Sequence, residues 1–180
     1  MKNQSITEAM LQFIEESPTA FHAAANVEAL LLENGFEKLE NLAEGALVPG
    51  GSYYTMQNGS AVLAVKIPEN PAKGFRIAAS HSDSPCFKIK EVPEMKVENT
   101  YVKLNVEKYG GMILSPWLDR PLSVAGRVFV AGKDGKPEVK LVNLKKDLLI
   151  IPNVAIHFNR EINNGFAYNP QTDMAPLMGL

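Results

Sequence analysis

Cysteine is almost absent from this 180-residue chain, and its one example, Cys86, excludes an internal disulfide and any metal cage built from several thiolates. That usage fits a reducing cytoplasm. No run of about 18 apolar residues occurs, the length a membrane-spanning helix needs, and the first residues, Met1 to Thr7, lack the apolar core of a secretory signal. The chain therefore reads as neither membrane-spanning nor exported. Basic blocks are missing too: eighteen Lys and Arg face twenty Asp and Glu, for a formal charge of −2. Nothing here could track a phosphate backbone, so nucleic acid is excluded as the expected partner. Histidine occurs only at positions 22, 81 and 157, with no two at a recognised ligand spacing. There is no internal repeat and no low-complexity segment.

What is present is enough apolar sequence, 46% of residues, to bury a core. Ser5 and Glu8 form a capping box ahead of Ile6, Ala9, Met10, Phe13 and Ile14, which share one helical face, so a helix is expected over Ile6–Glu16. Ser17-Pro18 ends it. Thr19 caps a second helix carrying Phe21, Ala24, Ala25, Leu31 and Leu32, and Asn34-Gly35 closes that one. His22, in its first turn, has no ligand-type neighbour at helical spacing and reads as structural or exposed. Residues 52–57 and 61–67 are β-prone runs around Asn58-Gly59-Ser60, a hairpin signal because Asn and Gly both tolerate positive φ. A loop is expected over 69–73 between Pro68, Pro71 and the next apolar run.

Residues 75–80 are apolar without alternation, the mark of a strand buried on both faces. Pro85 stops the run. Two helices followed by strands, one of them central, predict a layered α/β fold. Beyond Pro85 the pattern turns β-rich. Val102, Leu104 and Val106 alternate with polar residues, strands at 122–131 and 138–144 flank Asp134-Gly135, and an apolar run over 148–151 is closed by Pro152. No amphipathic helix is evident between 86 and 156.

Chemistry concentrates where the 75–80 run ends, at His81-Ser82-Asp83. Ser80, Ser82 and Ser84 surround the imidazole, yet none sits in a Gly-x-Ser-x-Gly elbow. Cys86 could act as a thiol nucleophile with His81 or His157 as base; a small buried hydrophobe is the plainer reading. Gly110-Gly111 fits a turn or bulge better than a phosphate loop. Metal chemistry suits His81 and Asp83 better, since a metal-bound imidazole commonly donates its second ring N–H to a carboxylate. A hydrogen-bonded structural histidine stands against it. One histidine cannot hold a catalytic metal, so the constellation is incomplete.

Four stretches in order resemble the successive motifs of the aspartyl-aminopeptidase-like dinuclear zinc aminopeptidases. They are Ser17-Pro18-Thr19-Ala20-Phe21-His22-Ala23; Ala79-Ser80-His81-Ser82-Asp83-Ser84-Pro85; Tyr109-Gly110-Gly111 with Trp117-Leu118-Asp119-Arg120-Pro121-Leu122-Ser123; and 151–160, which contains Ile156-His157-Phe158-Asn159-Arg160. The resemblance implies the N-terminal part of a layered α/β metallopeptidase domain, residues 1–86, followed by an inserted β-rich dimerisation domain, residues 87–180. In it His81 is a zinc ligand and Asp83 the carboxylate that orients it, with Ser82 replacing the family's threonine. His157 corresponds to a histidine that reaches a neighbouring subunit's active site. Trp117 reads as an aromatic anchor and Asp119-Arg120 as an ion pair. The resemblance further implies two divalent zinc-type ions, a peptide substrate, homo-oligomers formed through the β-rich domain, and release of N-terminal acidic or neutral residues. The remaining ligands and the general-base glutamate lie downstream in that family, so the chain is expected to be a fragment inactive by itself. A non-catalytic β-rich assembly module is the alternative.

Overall fold

A computed structural model describes residues 5–41, 47–70 and 74–179. Met1–Gln4 of the polar start and 71–73 of the expected loop fall outside them. Helix α1 spans Ile6–Glu16 and begins in the expected capping box: the Ser5 backbone N–H donates to Glu8 at 2.8 Å, and the Glu8 N–H donates to Ser5 Oγ at 3.2 Å. Helix α2 spans Ala20–Glu33, capped by the Thr19 side chain, and Gly35 leaves it at φ +76°, where an L side chain would be strained. The face of α2 that carries Ala23 and Ala24 is buried. The apolar face of α1 is largely open, with Ile6, Met10 and Ile14 all exposed.

Strand β1 (Glu37–Lys38) lies parallel to β2 (Ser52–Gln57), which pairs antiparallel with β3 (Ala61–Lys66). The link between β2 and β3 is the expected Asn-Gly turn, with Asn58 and Gly59 both at positive φ. Tyr53 and Tyr54 of β2 are buried, and the Tyr54 hydroxyl donates to Glu28 of α2 at 3.0 Å.

One expectation fails here. Residues 75–80 belong to no strand, and Phe75 and Ile77 are 90% and 86% exposed. The apolar pattern reports which faces would gain from cover; it does not supply the cover. Among the described residues no strand pairs with this run.

Strand β4 (Cys86–Val97) pairs antiparallel with β5 (Tyr101–Tyr109) through a turn in which Glu98 and Asn99 both adopt positive φ. The register slips between Ile89 and Glu94, so that Lys90, Glu91, Val92 and Pro93 stand opposite Asn105 alone. Pro93 has no N–H for the ladder, and Asn105 Nδ2 instead donates to the Val92 carbonyl at 3.2 Å. Strands β6 (Ala125–Ala131) and β7 (Pro137–Asn143) form a two-stranded hairpin, and β8 (Leu177–Gly179) pairs with the second edge of β5.

These elements form two compact units: residues 1–83 with 126–142, and 84–125 with 143–180. Leu104 and Val106 of β5 and Leu149 centre the core of the second unit, with Phe87, Leu122 and Val124 packed against them. The 148–151 run enters by single bridges, Leu149 to Leu122 and Ile150 to Leu177.

Candidate functional site

His81 follows the exposed apolar run outside any strand, and its ring is turned back onto its own chain. Nδ1 lies 2.8 Å from the Asp83 carbonyl oxygen and 3.1 Å from Asp83 Oδ1. A carbonyl can only accept, so Nδ1 carries the proton, and in the neutral ring Nε2 then holds the lone pair. The side chain is 82% exposed, which leaves Nε2 open to a ligand. His22 is held by the cap of its own helix. The Thr19 hydroxyl accepts the His22 backbone N–H at 3.4 Å and lies 2.7 Å from Nδ1, a contact in which either the hydroxyl or the ring can donate. Burial also lowers the His22 pKa from its ordinary 6.5, favouring a neutral structural residue.

Asp83 and His81 thus meet as a carboxylate–imidazole pair, a donor set that would suit one corner of a metal site. It does not make a whole one. Among the described residues no three His, Cys, Asp or Glu side chains come together to hold an ion. Pro85, closing the motif, lies against Gly110, whose φ is +76°; a Cβ there would meet Pro85 at 3.5 Å.

His157 lies in the second unit, exposed, within consecutive turns closed by Phe158 N–H to Ala155 carbonyl (2.8 Å) and Asn159 N–H to Ile156 carbonyl (3.3 Å). The start of its motif is pinned: the Asn153 N–H donates to Asp119 Oδ1 at 2.8 Å. Asp119 therefore serves the backbone, where an ion pair with Arg120 had been expected. Trp117 does act as an aromatic anchor, edge-on to Phe87 with ring centroids 5.1 Å apart. A concavity of about 510 Å³ in the same unit is lined by Tyr101, Lys103, Phe158, Phe166 and Tyr168 among others, but not by His157.

Sequence reasoning missed two participants. Ser82 Oγ donates to the Ser60 carbonyl at 2.8 Å, and Arg127 Nη1 donates to the Asn58 carbonyl at 2.8 Å. The Asn-Gly turn was legible as a hairpin, but nothing in its residue types indicated that its carbonyls would receive distant side chains.

Residues 13–180 match the aminopeptidase I zinc metalloprotease (M18) family, and the chain belongs to it. It is 47% identical over 184 residues to an M18 family aminopeptidase 2 of Clostridium acetobutylicum, covering 100% of this chain and 42% of that relative. Against the M18 family aminopeptidase 2 of Pseudomonas putida it is 40% identical, covering 97% of this chain and 41% of the relative. Among solved structures it resembles a chain in the complex of Ape4 and Nbr1, with TM-score 0.88, 38% identity, and 96% of this chain matched to 33% of that one. Chaetomium thermophilum mApe1 gives TM-score 0.83 at 34% identity, over 97% of this chain and 40% of that chain. The fold is thus the α/β fold of M18 aminopeptidases, and the chain spans less than half the length of these relatives.

Proposed function

We propose that these 180 residues supply part of a metalloaminopeptidase that releases N-terminal residues from peptides, and that His81 and Asp83 are one corner of its zinc centre. The observation that carries this reading is the His81 ring, with Nδ1–H engaged by Asp83 and Nε2 open. Asp83 holds the proton on Nδ1, keeps the ring oriented and increases the basicity of Nε2, which would contact the metal. When bound, zinc supplies Lewis acidity, polarising a scissile carbonyl and lowering the pKa of a water. His157 would meet substrate in a neighbouring copy. The other ligands and the general base would come from polypeptide outside these 180 residues, since a two-metal centre needs more donors than the described residues assemble.

In this reading residues 1–86 contribute to the peptidase domain and 87–180 to a β-rich module that builds homo-oligomers. A dodecameric mApe1 from S. cerevisiae shares the fold, which supports that assembly. A reducing cytoplasm suits the lone Cys86, which forms no disulfide. No helix among the described residues is long and apolar enough to cross a membrane. A purely non-catalytic assembly module finds less support, because the family match includes the His81 motif.

The test is zinc titration of the purified chain, with peptide hydrolysis followed in parallel. Weak zinc binding that is lost in His81→Ala, with no release of N-terminal residues, is expected. Tight stoichiometric zinc, or appreciable hydrolysis by the chain alone, would show that the ligand count is wrong.

A further inference from the structure

The residue between His81 and Asp83 points elsewhere. Ser82 Oγ donates to the carbonyl of Ser60 at 2.8 Å. Ser60 is the last residue of the three-residue 58–60 turn, and its own N–H returns to the Gln57 carbonyl at 3.2 Å. Paired positive φ values of 54° and 68° match the right-handed twist of the flanking strands, which makes such a turn well defined and its carbonyls fixed acceptors. The turn is held a second time. Arg127 Nη1 donates to the Asn58 carbonyl at 2.8 Å, while its guanidinium lies 4.0 Å from the Phe21 ring centroid and 5.4 Å from that of Phe129. All these residues belong to the first unit.

We propose that the 58–60 turn is a positioning device for the His81–Asp83 pair, acting through the Ser82 hydroxyl, with Arg127 as its counter-anchor. Residues 74–85 enter no strand among the described residues, so no ladder sets their backbone. The side chains of His81 and Asp83, one on each side of Ser82 in the chain, meet each other with Nδ1 3.1 Å from Oδ1, while Ser82 between them is tied to the hairpin. Fixing Ser82 therefore limits how far its two neighbours can turn away from one another. Ser82 and the turn touch neither substrate nor metal; they act on the ring through the backbone. The purpose of the device rests on the reading of His81 as a zinc ligand, but its geometry does not.

The experiment reads the His81 tautomer from ring 15N shifts in the metal-free, histidine-labelled 180-residue chain, at one pH above the imidazole range. His22, whose ring contacts Thr19 away from this turn, is the internal reference. Wild type should show His81 protonated on Nδ1. Ser82→Ala should lower the ratio of Nδ1–H to Nε2–H about fivefold, the factor set by one ordinary hydrogen bond. Ser82→Thr keeps the hydroxyl and should restore the ratio, with His22 unmoved throughout. Because Ser82 is exposed, neither variant threatens folding, and unchanged His22 shifts show it. A ratio indifferent to Ser82→Ala, or a Thr variant no better than the Ala one, overturns the proposal. Zinc added to the same samples tests the metal reading separately: a chain that ignores zinc yet shows the Ser82-dependent tautomer keeps the device and loses the metal.

Discussion

Asp119 is joined to Asn153 through its side chain and to Ile151 through its backbone. Oδ1 of Asp119 accepts the Asn153 N–H at 2.8 Å, and the Asp119 N–H donates to the carbonyl of Ile151, two residues before Asn153, at 2.9 Å. Ile151 is fully buried. The segment that leads to His157 therefore departs from a fixed point, and Asp119 makes the second of these bonds from a positive φ of 55°.

Asp119→Ala loses an acceptor and places a Cβ-bearing residue without a compensating side-chain bond in the left-handed region. A cost of about 1–2 kcal/mol is expected. Asp119→Asn keeps an acceptor and tolerates the backbone, so it should retain most of that stability. Urea unfolding of the three proteins measures the difference, and equal losses for Ala and Asn would deny the side-chain bond any role.

Asp83→Asn preserves an oxygen facing Nδ1 but removes the charge. In an enzyme of the length its relatives have, zinc affinity should fall about 10–100-fold, the usual effect of losing a carboxylate behind a ligating histidine. Competition with a chromophoric chelator gives the constant. An unchanged affinity would mean that His81 needs no carboxylate behind it.

Stability should decline on both sides of neutral pH, through different groups. The Glu8 carboxyl is held below its ordinary 4.5, first by the Ser5 backbone N–H and then by the Ser5 hydroxyl. Burial lowers His22 from 6.5. Each depressed pKa contributes stability that is present above the unfolded value and lost as pH falls through the folded one. Lys38 is raised from 10.5, chiefly by its bond to Glu28 and then Glu40; Tyr54 is raised from 10.0, chiefly by desolvation and then by Glu28. Those contributions are present below the unfolded values and lost as pH rises through the folded ones. Urea midpoints measured across pH should form a plateau between these limbs, and Glu8→Gln should flatten the limb near pH 4.5.

Phe75 and Ile77 are exposed, and so are Ile6, Met10 and Ile14 on the apolar face of α1. Such surface drives association. The chain should self-associate in light scattering as its concentration rises, and Phe75→Asp should reduce that tendency. A wild-type chain that stays a monodisperse monomer would remove this expectation.

Local chemistry made much of this fold readable. Ser5 with Glu8 set the start of α1, Thr19 and Asn34 bracketed α2, and Asn58-Gly59 located the β2–β3 hairpin. Leu104 and Val106, expected on the dry side of an alternating strand, are buried in β5. The β4–β5 turn escaped notice because its positive φ values fall on Glu98 and Asn99, and glutamate is rarely found there. Pro93 inside β4 concealed a long strand whose register shift accommodates it. Residues 75–80 misled for a different reason: an apolar run encodes its need for neighbours, and those neighbours are a tertiary fact. At the site, the His81–Asp83 spacing could be read as a pair, whereas the Ser82 and Arg127 bonds depend on sequence separations of 22 and 69 that no local pattern carries.

The two units are interleaved along the chain: residues 126–142 complete the first only after 84–125 have begun the second. Synthesis at roughly 5–20 residues per second thus leaves the first unit waiting several seconds for its returning hairpin. Arg127 cannot reach the Asn58 carbonyl until then, and closing that long loop carries an entropic cost that a local contact avoids. The nascent chain consequently exposes the 58–60 turn and the His81 segment before their anchor exists, and the ordering of this corner becomes a late event in folding.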